Sequence, residues 1–308
     1  MVNKILVTGG AGFIGSNLVD ELIKLKHHVA VIDNLSSGKK EYLNPRAKFY
    51  KADICDRKRI AEIFKLEKFD YVFHLAAQID VNKSVQDPIY DSEVNVGGSL
   101  NILKNSWENK VKKIIFPSTA GIYGEAEKPA KEDAPLFFEA PYALHKYTFE
   151  KHLEIFSHIK KINYSVLRFA NVYGPRQYKG GEGAVVAIFT HNAVNSLPVK
   201  IFGDGFQTRD FIYVSDVVSA CLKAMSSSKN GTFNVSTGKK TDLFQLIKAI
   251  EKASQRKMIC KKIAPRHGDI KHNVLSPKRA NEVLKWKATV GLEEGIAKTV
   301  RWVTGIRN

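Results

Sequence analysis

Hydrophobic and polar positions divide the first half of the chain into short apolar runs and longer stretches with helical spacing. The apolar runs lie at residues 3–8, 28–32, 47–51, 70–77 and 113–117. Each run has the length of a buried strand and is too short to span a membrane. Between them, helical spacing covers residues 16–26, 57–65 and 88–105. This alternation predicts an α/β fold built on a doubly wound parallel sheet.

A glycine-rich turn follows the first apolar run and leads into the first helical stretch. Gly9, Gly12 and Gly15 are spaced three apart. This spacing permits a tight turn, approach of a pyrophosphate to bare backbone, and close packing of the helix on the strand. A phosphate would lie at the positive N-terminal end of that helix, beside Phe13 and Ile14. The pattern predicts a Rossmann-type dinucleotide site.

Carboxylates follow the second and third predicted strands. Asp33 ends the second run, where it would accept hydrogen bonds from both hydroxyls of an adenosine ribose and repel a 2'-phosphate. This favours NAD over NADP, although Lys39 and Lys40 follow closely. Asp53 lies just after the third run and has two interpretations that remain open. It would accept a bond from the adenine amino group, or it would be the N-cap of the helix at residues 57–65.

Small and hydroxyl-bearing residues follow the next two predicted strands. The fourth run leads into Leu75, Ala76, Ala77 and Gln78, and the fifth leads into Ser118 and Thr119. The carboxyl ends of parallel strands meet at one edge of the sheet, where a cofactor would lie. We therefore expect a hydroxyl at this edge to reach the reacting group of a substrate.

Tyr142 and Lys146 are four residues apart on a predicted helix, so their side chains project from one face. A neighbouring ammonium stabilises phenolate over phenol and would bring the tyrosine pKa, ordinarily about 10, towards neutral pH. The predicted role is general acid/base catalysis. The same spacing also occurs where a core ring lies beside a solvated lysine, so the pair alone does not identify a site.

Composition limits the protein classes. With 308 residues, 44% of them hydrophobic, the chain can form one large and one small lobe. It has no run of membrane-spanning length and no signal peptide, so we expect a cytoplasmic protein that does not bind membranes. Three cysteines and nine histidines lack paired or ligand spacing, which argues against disulfides and a metal site. The net charge of +17 is spread along the chain without an RNA-binding motif, so it favours anionic small ligands over nucleic acid.

The motifs together resemble the extended short-chain dehydrogenase/reductases, and among them the UDP-glucose 4-epimerases and their close relatives. The resemblance also covers residues 33–38, 167–176, 203–210 and 266–269. It implies NAD as cofactor and a UDP-sugar as substrate. The cofactor-binding residues that it implies, beyond those named above, are Asn34, Ser36, Gly38, Ile54, Asn95, Tyr142 and Lys146.

The resemblance also implies a mechanism. Tyr142 would take the proton of the sugar 4'-hydroxyl while hydride leaves the 4'-carbon, and Thr119 would bond the same oxygen. Lys146 would lower the tyrosine pKa and hold the nicotinamide ribose. A transient 4'-keto sugar would rotate and take the hydride back on its other face, which inverts the 4'-carbon.

The second half would supply the residues that bind the substrate. Arg209 and Arg266 would grip the diphosphate, and Asp269 would bond the nucleotide ribose. Asn273 would lie near the sugar 2'-substituent, where its small size would admit an N-acetyl group. The remaining implied contacts are Asn171 at the diphosphate or sugar, and Val186, Lys200 and Phe202 along the uridine site.

Ala120 and Gly121 follow the catalytic threonine, where related dehydratases and decarboxylases carry an acidic residue. Without that second acid/base, epimerisation is favoured over dehydration or decarboxylation. Two alternatives stay open: another nucleotide-sugar enzyme on this scaffold, such as a UDP-glucuronate epimerase, and a non-catalytic NAD- or RNA-binding protein.

The expected domain organisation has an NAD-binding domain at residues 1–172, to which residues 207–238 return. A substrate lobe comes mainly from residues 173–308. By resemblance, a homodimer would form through the helices that include residues 95–105 and 142–156.

Overall fold

A computed structural model describes residues 2–177, 184–265 and 270–305 of the chain. Its main feature is a seven-stranded sheet in the order β12-β7-β5-β4-β1-β2-β3. The strands have the following bounds: β1 Lys4–Thr8, β2 His28–Asp33, β3 Lys48–Lys51, β4 Tyr71–His74, β5 Lys113–Thr119, β6 Ala126–Ala130, β7 Asn163–Phe169, β8 Asn171–Tyr173, β9 Val199–Phe202, β10 Thr208–Arg209, β11 Phe211–Tyr213, β12 Gly231–Val235, β13 Thr241–Asp242, β14 Cys260–Ile263 and β15 His272–Leu275. The run from β3 through β2, β1 and β4 to β5 is parallel throughout.

The helices alternate with these strands in the first half, as predicted. Their bounds are α1 Phe13–Lys24, α2 Arg57–Glu67, α3 Val81–Gln86, α4 Pro88–Ser92, α5 Ser99–Glu108, α6 Pro141–Lys160, α7 Val185–Val194, α8 Val214–Ser226, α9 Leu243–Ser254, α10 Lys278–Leu284 and α11 Leu292–Val303. No helix in the described part of the chain is long and apolar enough to cross a membrane.

The predicted apolar runs form the strands of a sheet that is covered on both faces. Leu6, Ile32, Val72 and Ile114 come from four neighbouring strands and belong to one buried cluster with residues of α2, α5 and α6. Strands covered on both faces are apolar throughout, which explains why they appear as continuous runs rather than alternating ones.

The chain divides into two compact units. Unit 1 consists of residues 1–119, 140–168 and 218–233, and unit 2 of residues 120–139, 169–217 and 234–308. Residues 120–139 and 169–172, which were expected in the NAD-binding domain, belong to unit 2. The segment that returns to unit 1 is 218–233, shorter than the expected 207–238. The assignment of cofactor and substrate to different parts of the chain stays a prediction.

Three local details differ from the sequence prediction. The fourth strand ends at His74, so residues 75–78 form a loop rather than the end of a strand. The predicted helix at 88–105 contains a π-helical turn, Glu93–Gly98, between α4 and α5. The short helix α3 and the strand β6 were not predicted, since neither is long enough to show a clear hydrophobic period.

Candidate active site

The glycine-rich turn leaves backbone exposed at the start of α1. A Cβ on Gly9, whose φ is +70°, would lie 2.7 Å from the Ala76 amide nitrogen, and one on Gly15 would lie 2.1 Å from the Gly9 carbonyl oxygen. Gly12 is the N-cap of α1 and offers no side-chain bond to it. The first-turn amides, including those of Phe13 and Ile14, have no partner within the helix and can bind an anion. These features fit the pyrophosphate of NAD.

Asp33 lies next to this turn and is held by backbone amides. Its Oδ2 accepts from the Ala11 amide at 2.9 Å and its Oδ1 from the Leu35 amide at 2.8 Å. Burial raises the pKa of Asp33, and these two amide bonds oppose the rise. A Cβ on Gly38 would lie 2.9 Å from Oδ1, so only glycine leaves the carboxylate uncovered there. The arrangement fits the ribose-binding role predicted for Asp33.

Asp53 bonds the neighbouring loop and does not cap a helix. Its Oδ2 accepts from the Asn34 side chain at 2.8 Å, and its Oδ1 accepts from the Cys55 amide at 2.8 Å. The N-cap of α2 is Asp56, whose Oδ1 accepts from the Arg59 amide. The N-cap interpretation of Asp53 is therefore wrong, and its contact with adenine stays a prediction. The exposed Ser36 donates its amide to Asn34 Oδ1, whereas Ile54 is buried.

The loop at residues 75–78 bonds the hydroxyl of Thr8, which in turn bonds the buried ring of His74. The Ala76 amide donates to Thr8 Oγ1 at 3.1 Å, and the same hydroxyl lies 2.8 Å from His74 Nδ1. His74 Nε2 lies 2.9 Å from the Ser99 hydroxyl. Burial, with a contribution from Lys146, lowers the pKa of His74 to about 3, so the ring stays neutral. Leu75, Ala76 and Ala77 remain partly exposed, as a cofactor-facing edge requires.

The far end of this loop is held by Asn95, in the π-helical turn. Asn95 Oδ1 accepts from the Gln78 amide at 3.0 Å, and its Nδ2 donates to the Gln78 carbonyl at 2.9 Å. Nδ2 also donates to Asp91 Oδ1 at 3.0 Å. These bonds engage the amide group of Asn95 and show that it positions the loop at Gln78, whereas its contact with the cofactor stays a prediction.

Sequence reasoning missed Asp91 and His145. Asp91 Oδ1 accepts from the Gln78 side chain at 2.6 Å, and Asp91 Oδ2 lies 2.6 Å from His145 Nδ1. Asp91 and Asn95 are four residues apart and share a helix face, which is a local signal. His145 is 54 residues from Asp91 in the chain and gives no such signal.

Lys146 is buried in α6, with its Nζ 4.0 Å from the centroid of the Phe116 ring. Burial lowers the pKa of Lys146 to about 7, although Glu150 and Asp91 oppose that change. Tyr142 is half-buried, and burial followed by the charge of Asp91 raises its pKa. Both effects oppose the expected lowering of the tyrosine pKa by Lys146, which stays a prediction.

Two hydroxyl side chains end β5 in unit 1. The Ser118 hydroxyl is buried and has no hydrogen-bond partner among the residues that the structure describes. A buried hydroxyl without a partner costs about 1–3 kcal/mol, and a bound polar ligand would satisfy it. Thr119 is partly exposed, as its predicted contact with the substrate requires.

The predicted substrate-binding residues in unit 2 differ in exposure. Arg209 is partly exposed, and its Nη1 donates to the Thr208 carbonyl at 3.0 Å. Asn171 and Phe202 are partly exposed and Lys200 is exposed. Val186 is only 1% exposed and packs in the core of unit 2, and its contact with the uridine stays a prediction. Arg266 and Asp269 lie outside the described residues.

Asn273 is 5% exposed and bonds the backbone of the 3₁₀ turn Ala120–Tyr123 and the residue after it. Its Nδ2 donates to the Gly124 carbonyl at 3.0 Å and to the Ala120 carbonyl at 3.4 Å. The prediction assigned Asn273 only to the sugar 2'-substituent. The structure adds that Asn273 anchors the turn that follows Thr119, because its side-chain amide donates to backbone carbonyls of that turn and of the residue after it.

Known proteins resemble this chain over nearly its whole length. Residues 5–236 match the family described as "NAD dependent epimerase/dehydratase family". A UDP-glucose 4-epimerase of Mycolicibacterium smegmatis is 41% identical over 307 residues, covering 97% of this chain and 98% of the relative. The crystal structure of the Thermotoga maritima UDP-glucose 4-epimerase with UDP-glucose is 45% identical, with a TM-score of 0.95, over 98% of this chain and 99% of that one.

A third relative is named for a different sugar. The UDP-N-acetylglucosamine 4-epimerase from Methanobrevibacter ruminantium M1, in complex with UDP-N-acetylmuramic acid, is 36% identical with a TM-score of 0.94, over 99% of each chain. The comparisons confirm the predicted fold class, the NAD cofactor and the enzyme class. The chain belongs to the NAD-dependent epimerase/dehydratase family.

Proposed function

We propose that this protein inverts the 4'-carbon of a UDP-sugar, interconverting UDP-glucose and UDP-galactose. The observation that carries the proposal is the content of unit 1: a glycine-rich dinucleotide turn, Ser118 and Thr119 at the end of β5, and Tyr142 and Lys146 one turn apart on α6. The Ala120–Gly121 pair after Thr119 supplies no carboxylate for dehydration or decarboxylation.

The chain's own residues would perform the proton transfer. Tyr142 takes the proton of the 4'-hydroxyl and later returns it, and Thr119 bonds the same oxygen. NAD, when bound, would supply the hydride acceptor for the oxidation and the hydride donor for its reversal. Because burial and the charge of Asp91 raise the pKa of Tyr142, the phenol must first give up its proton before it acts as a base. Lys146, with a pKa of about 7, can take up or release a proton near neutral pH.

Product analysis by proton NMR tests the reaction type. The protein is incubated with UDP-glucose, UDP-galactose, UDP-N-acetylglucosamine and UDP-glucuronate in separate samples. Inversion at the 4'-carbon without accumulation of NADH is the expected result. A 4-keto-6-deoxy sugar or carbon dioxide as product would instead identify a dehydratase or a decarboxylase.

Two tyrosine variants on α6 test the assigned base. Tyr142→Phe removes the phenol hydroxyl that would exchange the proton, so kcat should fall about 10²–10⁴-fold while NAD binding is retained. Tyr147→Phe is the matched control, because Tyr147 contacts Lys151 at the next helix turn. Tyr147→Phe should keep wild-type turnover, and a Tyr142→Phe variant that turns over normally would refute the assignment.

We propose further that the enzyme accepts both UDP-glucose and UDP-N-acetylglucosamine. The Methanobrevibacter relative supports this, together with asparagine at position 273. Asn273→Tyr should lower kcat/KM for the N-acetyl sugar more than for UDP-glucose. Asn273→Ala breaks the same bonds to Ala120 and Gly124 without adding bulk, so it separates loss of anchoring from steric exclusion. An equal ratio in the two variants would count against the specificity role.

A homodimer formed through α5 and α6 is also proposed. Its support is the exposure of apolar side chains on α6, where Leu144, Ile155 and Ile159 are 44%, 52% and 61% exposed. Light scattering after size exclusion should give twice the chain mass, and Ile155→Asp should shift it to the monomer. Cytoplasmic location stays a prediction, and so does the absence of nucleic-acid binding.

A further inference from the structure

One fully buried carboxylate belongs to the site and has no role in the reaction described above. Asp91, in α4, has no exposed surface. Its Oδ1 accepts from Gln78 Nε2 at 2.6 Å and from Asn95 Nδ2 at 3.0 Å, and its Oδ2 faces His145 Nδ1 at 2.6 Å. A carboxylate only accepts, so His145 donates through Nδ1. Burying a charge is costly unless donors surround it, and here three donors do.

The three donors come from three separate parts of unit 1. Gln78 lies in the loop after β4, Asn95 lies in the π-helical turn, and His145 lies in α6. The Gln78 backbone is itself bonded to Asn95 through both its amide and its carbonyl. Asp91 is therefore the common acceptor that joins the cofactor loop to the catalytic helix.

His145 is well placed to fix that helix. It follows Tyr142 by three residues and directly precedes Lys146, so all three lie on one helix turn. A bond to the His145 ring restrains both the rotation of this turn about the helix axis and its position along it. A displacement of about 1 Å at reacting groups can cost about 100-fold in rate, so such a restraint matters for catalysis.

We propose that Asp91 is a positioning residue. It holds the turn of α6 that carries Tyr142 and Lys146 in register with the NAD-facing loop at Gln78, and His145 transmits this restraint. The kinetic part of the inference rests on the proposed epimerase function. The part that concerns the cofactor loop does not, and it is measured by NAD affinity alone.

Asp91→Asn tests the charge while keeping the shape. The Asn oxygen can still accept from Gln78 and Asn95, but the charge-assisted bonds become neutral ones of about half the strength. We expect kcat to fall about 10- to 100-fold with the UDP-sugar KM within about threefold. The dissociation constant of NAD, titrated into cofactor-free protein, should rise about tenfold.

Two His145 variants separate positioning from packing. His145→Phe keeps a ring but removes the donor, so it should reproduce the losses of Asp91→Asn. His145→Asn places an amide nitrogen where Nδ1 lies and preserves the bond to Asp91, so kcat and NAD affinity should stay within about threefold of wild type. Equal losses in both variants would overturn the inference.

Asp216→Asn is the control for the general cost of changing a buried carboxylate. Asp216, in unit 2, accepts from Thr289 and from the Val290 amide. This variant should lower the melting temperature but leave kcat and the NAD dissociation constant within about twofold. An Asp91→Asn variant with the same behaviour would show a merely structural role and overturn the inference.

The outcomes also separate this inference from the proposed function. A wild type that inverts no UDP-sugar would refute the proposed function, and the NAD titrations would still test Asp91. Weaker NAD binding in Asp91→Asn and His145→Phe, with recovery in His145→Asn, would support positioning in that case. An NAD affinity unchanged in Asp91→Asn would overturn it.

Discussion

Replacing Lys146 with methionine should make the ligand-free protein more stable near neutral pH. The Lys146 ammonium is buried, and burial lowers its pKa from 10.5 to about 7. At about 1.4 kcal/mol per pKa unit, this difference amounts to about 5 kcal/mol against the charged native state. The Phe116 ring, 4.0 Å from Nζ, offsets up to about 2 kcal/mol of that cost by cation–π attraction. The net destabilisation of the native state is then about 3 kcal/mol, which Lys146→Met should remove.

The sign of the pH dependence follows from proton binding. Below about pH 7 the lysine is charged in both native and unfolded chains, so the native state carries the full cost. Between pH 7 and 10.5 the unfolded chain binds more protons, so the free energy of unfolding rises with pH. Lys146→Met removes this dependence. The stability advantage of the variant should therefore be about 3 kcal/mol near pH 6 and shrink towards zero near pH 10.

Urea unfolding of NAD-free protein, followed by tryptophan fluorescence at both pH values, measures this difference. Lys113→Met is the matched control, because burial also lowers the pKa of Lys113, to about 8. The Lys113 Nζ, however, donates to three backbone carbonyls, of Ala224, Ser227 and Lys229. Lys113→Met should therefore destabilise the protein. A Lys146→Met variant less stable than wild type near pH 6, or an advantage that does not narrow with pH, would refute the reasoning.

Three further substitutions test the site. Gly15→Ala places a Cβ 2.1 Å from the Gly9 carbonyl and should abolish NAD binding in calorimetric titration, whereas Gly291→Ala meets nothing within 4 Å and should bind NAD normally. Asp33→Asn should weaken NAD binding about tenfold. It should also reduce the preference for NAD over NADP in competition titrations, since the charge that repels a 2'-phosphate is gone. Asn273→Ala removes two bonds to backbone carbonyls and should lower the free energy of unfolding by about 1–3 kcal/mol in urea. An unchanged titration in Gly15→Ala or Asp33→Asn, or an unchanged unfolding midpoint in Asn273→Ala, would contradict the rationale for that variant.

The glycine-rich turn and the carboxylate beside it were predictable because each is local in sequence. The turn at Gly9, Gly12 and Gly15 and the carboxylate of Asp33 each follow a buried strand directly. Strand ends of a parallel sheet meet at one edge, so their positions follow from the hydrophobic pattern alone. The position of a helix cap was harder to predict. Asp53 was one candidate for the cap of α2, but the actual cap, Asp56, lies three residues further on.

The electrostatics of the catalytic helix were not predictable from spacing. Spacing correctly placed Tyr142 and Lys146 on one helix face, but the pKa values depend on how deeply each group is buried. The bond between Asp91 and His145 joins elements far apart in the chain, so no local pattern signals it. Asn273 likewise bonds carbonyls about 150 residues earlier, which only the folded chain reveals.

The discontinuity of the two units determines how this chain can be made and divided. Unit 1 takes its last residues from 218–233, so a nascent chain cannot complete it until residue 233 has left the ribosome. Strand β12, at one edge of the seven-stranded sheet, begins in this late segment and pairs with β7. Domains normally fold as units in order of synthesis. Here unit 1 must wait for residues 120–139 and 169–217 of unit 2, and an N-terminal fragment ending near residue 172 would expose an unfinished sheet edge.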